Sequence, residues 1–154
     1  MKILWISHLV PYPPKAGVLI RSFNLVRELG ERHALDVLTL NQPRLMADYY
    51  RTQAEGIEAA KDALSEYVNN LWIEDIPAER SPLSRLWLIG SSFLSRDSYT
   101  IRWLKSKKME QRLAAILAEN TYDLIHIDTI SLDYLRPLIP ADIPLVLDHH
   151  NIES

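Results

Sequence analysis

Three small groups of polar residues in this chain each follow an apolar run, and their side chains are of the kinds that bind anions, metals and hydroxyl groups. The first is Ser7-His8, with Gly17 and Arg21 beyond a proline-rich loop. The second is His126 with Asp128, and the third is Asp148-His149-His150-Asn151. A guanidinium at Arg21 suits an anionic group near the start of a helix, where unpaired N–H groups also favour negative charge. A cation in a first turn runs against the helix dipole, which favours a functional role for Arg21 over its plain reading as a solvated helix residue. Imidazole and carboxylate also suit a divalent metal, and His126, Asp128, His149 and His150 would be its ligands, although their spacing sets no coordination geometry. Each group has a structural reading as well. Gly17 suits a turn, and His8 suits a structural or partly exposed place. His126, between Ile125 and Ile127, suits a hydrogen-bonded core position, with Asp128 the more solvent-facing of the two. His149 and His150 point to opposite sides of a continuing strand, so only one of them would meet a cleft.

The elements that must position these residues alternate between strand and helix. Lys2–Ile6 is an apolar first strand, and Leu19, Phe23, Val26 and Leu29 then recur at helical spacing up to Gly30. Ala34–Leu40 predicts a second strand. Asn41-Gln42-Pro43 suggests a cap and first turn for a long helix carrying Met46, Tyr50, Ile57, Ala60, Leu64 and Tyr67 on one side, with Gly56 in its middle. Further strands are predicted over Asn70–Ile76, Tyr122–Asp128 and Leu145–Asp148. Helices are predicted over Leu83–Leu94, around Met109, Leu113, Ile116 and Leu117, and over Ser131–Arg136. Strands separated by helices imply right-handed parallel crossovers. The expected fold is therefore α/β, a doubly wound, mostly parallel sheet with helices on both faces. In such a sheet all three polar groups fall at the C-terminal ends of the strands, where ligands bind.

Composition narrows the classes. A chain of 154 residues, 47% of them apolar, fills one core, and residues 1–154 are read as a single domain. A net charge of −3 argues against a broad phosphate-backbone interface, so nucleic acid is not an expected partner. With no cysteine there is neither a disulfide framework nor a thiolate metal site, which suits a reducing cytoplasm. The apolar opening is short, interrupted by His8 and followed by prolines, and reads as a strand instead of a signal peptide. No stretch reaches the length of a transmembrane helix. Trp87, Leu88, Ile89 and Phe93 are expected to pack on the sheet. With Arg80 and Arg85 nearby, their alternative is peripheral contact with a membrane or a lipid-linked acceptor at its cytoplasmic face.

Three ordered segments carry a resemblance: Pro11-Tyr-Pro-Pro-x-x-Gly-x-x-x-Arg-Ser22, Tyr122-Asp-Leu-Ile-His-Ile-Asp128, and Leu147-Asp-His-His-Asn-Ile-Glu-Ser154. Together, over essentially the whole chain, they resemble the N-terminal domain of family 4 glycosyltransferases, enzymes of two Rossmann-like halves in the GT-B architecture. The resemblance implies transfer of a sugar from a nucleotide-sugar donor to a glycan, lipid or other acceptor with retention of configuration, in cell-surface polysaccharide synthesis among other roles. It implies a catalytic role for His150, beside the transferred sugar. It implies donor or acceptor binding by Gly17, Arg21, His126, Asp128 and Asn151, with no metal and no tightly bound cofactor. The family usually carries two glycines where this chain has Ala16-Gly17.

In that family the nucleotide and diphosphate are held chiefly by the C-terminal half, through a basic pair and spaced glutamates that these residues do not include. Stabilising a leaving diphosphate needs such charges, so the 154 residues alone are expected to be inactive. Two other readings stand beside this one. The first is a noncatalytic α/β interaction module, dimerising through the surface the other half would cover. The second is the metal-dependent hydrolase built on His126, Asp128, His149 and His150. A dinucleotide-binding dehydrogenase is disfavoured, because prolines stand where Gly-x-Gly-x-x-Gly would be.

Overall fold

The computed structural model describes residues 1–15, 17–76 and 103–148. Five strands form one parallel sheet: β1 (Lys2–Ser7), β2 (Ala34–Asn41), β3 (Asn70–Asp75), β4 (Leu124–Ile127) and β5 (Leu145–Leu147). Between them run helices α1 (Gly17–Gly30), α2 (Pro43–Ala47), α3 (Gln53–Leu64) and α4 (Lys107–Glu119), with a 3-10 helix over Ile130–Leu138. The strand order is β3-β2-β1-β4-β5. The chain winds outward from β1 to β3 and then returns to β4 on the other side. The order therefore reverses between β1 and β4, the place where an open α/β sheet leaves a crevice at its C-terminal edge.

Strand alternation divides the core into two layers. Leu4, Ile6, Leu38, Leu40, Ile125 and Ile127 face Met109, Leu113 and Ile116 of α4 and Leu132 and Leu135 of the 3-10 helix. Ile3, Trp5, Leu35 and Val37 leave the opposite face and meet Val26 of α1 and Leu64 of α3. Both faces are covered, so the strands are apolar nearly throughout, and the Rossmann-like α/β expectation holds. Among the described residues no helix is long and apolar enough to cross a membrane.

The long second helix predicted from periodicity is two helices. Thr52 lies in extended backbone and accepts from the Glu55 N–H at 3.2 Å, and the Glu55 carboxylate accepts from the Arg51 N–H at 3.3 Å. That Thr-x-x-Glu spacing starts a new helix, a local hydrogen-bond solution that outweighs an uninterrupted apolar stripe. Gly56, expected in the middle of one long helix, lies in the first turn of α3 and permits a contact. A Cβ there would stand 2.9 Å from the Tyr50 ring and 3.1 Å from Met46 Sδ, side chains of the folded-back α2 segment. The expected short helix at Ser131 is a longer 3-10 turn with Pro137 inside it. The predicted Leu83–Leu94 helix, with Trp87, Leu88, Ile89, Phe93, Arg80 and Arg85, lies outside the described residues.

Candidate functional site

Register places the site. Ile6 pairs with Ile127, and one step further the Asp128 N–H donates to Ile6 O at 2.9 Å, while the Asp148 N–H donates to Ile127 O at 2.8 Å. Ser7 is paired with Thr39 on its other side. Thr39, Ser7, Asp128 and Asp148 thus form a polar row across four strands, just past the last apolar row. Trp5 pairs with His126, and His126 with Val146, two residues deeper. All these side chains leave the sheet on the α1 side, because Trp5 packs with Val26 there.

Asp128 is the centre of the cluster. Its side chain is fully buried, and its Oδ2 accepts from Ser7 Oγ and from Ser22 Oγ of α1, each at 3.1 Å. Arg21 Nη1 lies 3.6 Å from Asp128 Oδ1, and Arg21 Nη2 pairs with Asp148 Oδ2. His126 Nε2 is 3.9 Å from that same Asp148 oxygen, and its imidazole lies over the Trp5 ring with centroids 4.5 Å apart. The one proton of the Ser7 hydroxyl is shared between Asp128 and Leu9 O, the latter at 2.8 Å, and the oxygen accepts from the Leu9 N–H at 3.2 Å, which fixes the turn leaving β1. Burying a carboxylate is costly unless it is paired and hydrogen-bonded, and here two hydroxyls and a guanidinium meet that requirement.

Asp128 was expected to be the more solvent-facing of the strand-four pair, and this is corrected. The acid points inward because Ser7 and Ser22 offer donors inside the fold, whereas His126 keeps a partly exposed edge. Arg21 does have the anionic partner its position called for, but that partner is two carboxylates of the chain itself. Its side chain remains 42% exposed, so the guanidinium joins the buried cluster to solvent. Gly17 is the first residue of α1, with negative φ and nothing within 4 Å of where a Cβ would stand. Among the described residues nothing requires a glycine there, and the space on that side is open. His149, His150 and Asn151 lie outside the described residues.

Sequence reasoning passed over Ser22 and Trp5 as members of the site, and placed Asp148 at the strand ends without pairing it with Arg21. Ser22 carried a signal: it stands between Leu19 and Val26 on the buried stripe of α1, where a hydroxyl needs an acceptor. The pairing of Arg21 with Asp148 spans 127 positions and left no local trace. Among the described residues no group of three or more His, Asp or Glu is placed to hold a metal ion. Chemically, the row offers hydroxyl and carboxylate acceptors, a partly exposed guanidinium and an imidazole, a set suited to hydroxyl-rich or anionic ligands. No family model, curated protein or solved structure matches this chain.

Proposed function

We propose that this chain is the acceptor-side, N-terminal half of a retaining glycosyltransferase that takes a nucleotide-sugar donor. The observation that carries this reading is the convergence of Ser7, Arg21, His126, Asp128 and Asp148 at the C-terminal strand ends, where the sheet order reverses. A ligand phosphate or hydroxyl entering there competes with Asp148 for Arg21, while Asp128 stays in place to hold α1 against β1 and β4. His126 is then available for a hydroxyl. His150 and Asn151 follow Asp148 by two and three residues in the sequence and complete the site in this reading, and Gly17 leaves room for a ligand beside the start of α1.

The test is expression of the chain together with the coding sequence that follows it at its source, and assay of sugar transfer from a panel of nucleotide-sugars. The expected result is transfer with retained configuration. His150→Ala should reduce turnover by at least about a hundredfold with an unchanged melting temperature, as the loss of a group acting at the reacting centre does. A folded protein that turns over no nucleotide-sugar would overturn the reading. Full turnover in a folded His150→Ala variant would remove that residue from the mechanism.

A further inference from the structure

Asn41 ends β2 and is fully buried, yet neither its amide nitrogen nor its amide oxygen has a hydrogen-bond partner among the described residues. Trp5 Nε1 on β1 also lacks a partner among the described residues, but the buried carboxylates and hydroxyls of Asp36, Ser7 and Asp128 on the sheet and Ser22 on α1 all carry hydrogen bonds, so Asn41 stands out in leaving both its donor and its acceptor unmet. An amide left in this state is destabilising, and a shape-matched apolar residue would serve the free fold better.

Its position has a consistent direction. Asn41 follows Thr39 by two residues on β2, so it leaves the sheet on the α1 side, the same face as Ser7, His126 and Asp128. Two strand spacings and two residues of rise put it roughly 12 Å from Asp128 along that face. The loop after β1 lies against the end of β2 there, since Gln42 Nε2 donates to His8 O at 2.9 Å and Val10 packs with Met46. A gap beneath that loop, beside Asn41's neighbour Gln42, is no larger than one water. Its volume is about 10 Å³, and it is lined by Val10, Tyr12, Leu19, Gln42 and Met46 among others.

We propose that Asn41 is a recognition residue of a second subsite, one that receives a neutral hydroxyl-bearing ring of the acceptor when the loop after β1 shifts. A primary amide presents one donor edge and one acceptor edge in a plane, and a vicinal diol of a sugar answers both. A carboxylate or phosphate would satisfy the amide nitrogen and oppose the oxygen. The subsite rests on the glycosyltransferase reading for the identity of its ligand. Its separation from Asp128 suits an acceptor that extends past the reacting ring.

The experiment uses the 154-residue chain and its Asn41→Leu variant, with thermal melts and NMR titration by methyl α-glucoside, methyl α-mannoside and methyl α-galactoside. The expected result is a melting temperature raised by about 2–6 °C and glycoside binding weakened at least about tenfold. Should leucine prove too bulky to fold, Asn41→Val carries the same test. A lowered melting temperature in both folded variants would make the amide structural and overturn the proposal, as would unchanged glycoside affinity or no glycoside binding to the parent chain. The two readings fail separately. Asn41-dependent glycoside binding by a protein that transfers no sugar would sink the transferase alone. Transfer with an acceptor KM unchanged by Asn41→Leu would sink this subsite alone.

Discussion

The sheet buries one carboxylate near each of its ends, and the two are held in different ways. Asp36, toward the N-terminal end of β2, accepts from Tyr122 Oη at 2.7 Å and from Asn70 Nδ2 at 2.8 Å, with Lys2 Nζ at 3.8 Å. Lys2 is itself held, donating to Asn120 Oδ1 at 2.7 Å and lying 5.0 Å from the centroid of the Tyr122 ring. Asp128, at the other end, has two longer bonds from serines, and its cation is shared with Asp148. In the first cluster two short hydrogen bonds hold the carboxylate, and its cation, though 35% exposed, is itself tied down by Asn120 and Tyr122. The second has a guanidinium that reaches solvent, so part of its electrostatic balance is open to exchange with a ligand. Two buried acids of the same kind thus point to two tasks, clasping the fold at one end and holding a site at the other.

The largest expected effect breaks the clasp. Asp36→Ala strands the Tyr122 hydroxyl and the Asn70 amide beside a lysine, and should cost about 3–5 kcal/mol in urea denaturation while leaving ligand binding in any surviving folded fraction unchanged. Asp128→Ala should cost less, about 2 kcal/mol, because Ser7 already has Leu9 O as a second acceptor and Arg21 keeps Asp148. Its effect on sugar binding or transfer should exceed its effect on stability. If Asp128→Ala proves the more destabilising of the two, the division of labour between the ends is wrong.

Smaller effects sharpen the same contrast. Tyr122→Phe removes one hydrogen bond to Asp36 and should cost about 1–1.5 kcal/mol, with no functional consequence. Burial first, and then the bond to Asp36, push the Tyr122 phenol well above its ordinary value, and burial pushes Tyr134 up to about 12. In the unfolded chain both phenols ionise near 10, so above that pH the unfolded state binds fewer protons and stability falls. The contribution is fully present below pH 10. For Tyr134 it is lost as pH rises through about 12, and for Tyr122 the loss continues above that. Denaturation midpoints followed from pH 9 to 12 should decline less steeply in Tyr122→Phe and Tyr134→Phe than in the parent. Identical slopes would remove burial as the cause. The smallest stability change belongs to Arg21→Ala, about 1 kcal/mol, because its guanidinium is partly exposed and the buried Asp128 keeps both serine bonds, yet binding at the crevice should drop about tenfold. Thermal melts and ligand titration on the same sample separate the two quantities.

The fold was largely legible because its signals are local. Apolar runs of strand length alternate with helical spacing, and parallel crossovers follow from that order. The break between α2 and α3 was written in Thr52-x-x-Glu55 but masked by an apolar stripe that continues across it. The site was half legible. The strand-end positions of His126 and Asp128, and the place of Arg21 early in the helix after β1, follow from the element pattern alone. The inward turn of Asp128 does not, since it depends on hydroxyls from Ser7 and Ser22, 121 and 106 positions away, that only the folded chain brings within reach.

One NMR experiment bears on the whole account: a titration of the labelled chain with a panel of nucleotide-sugars and methyl glycosides, read residue by residue. The account predicts shifts at Ser7, Gly17, Arg21, Ser22, His126, Asp128 and Asp148, with Lys2, Asp36, Asn70 and Tyr122 unmoved. Shifts centred on the Asp36 cluster, or none at any concentration of any member of the panel, would contradict it.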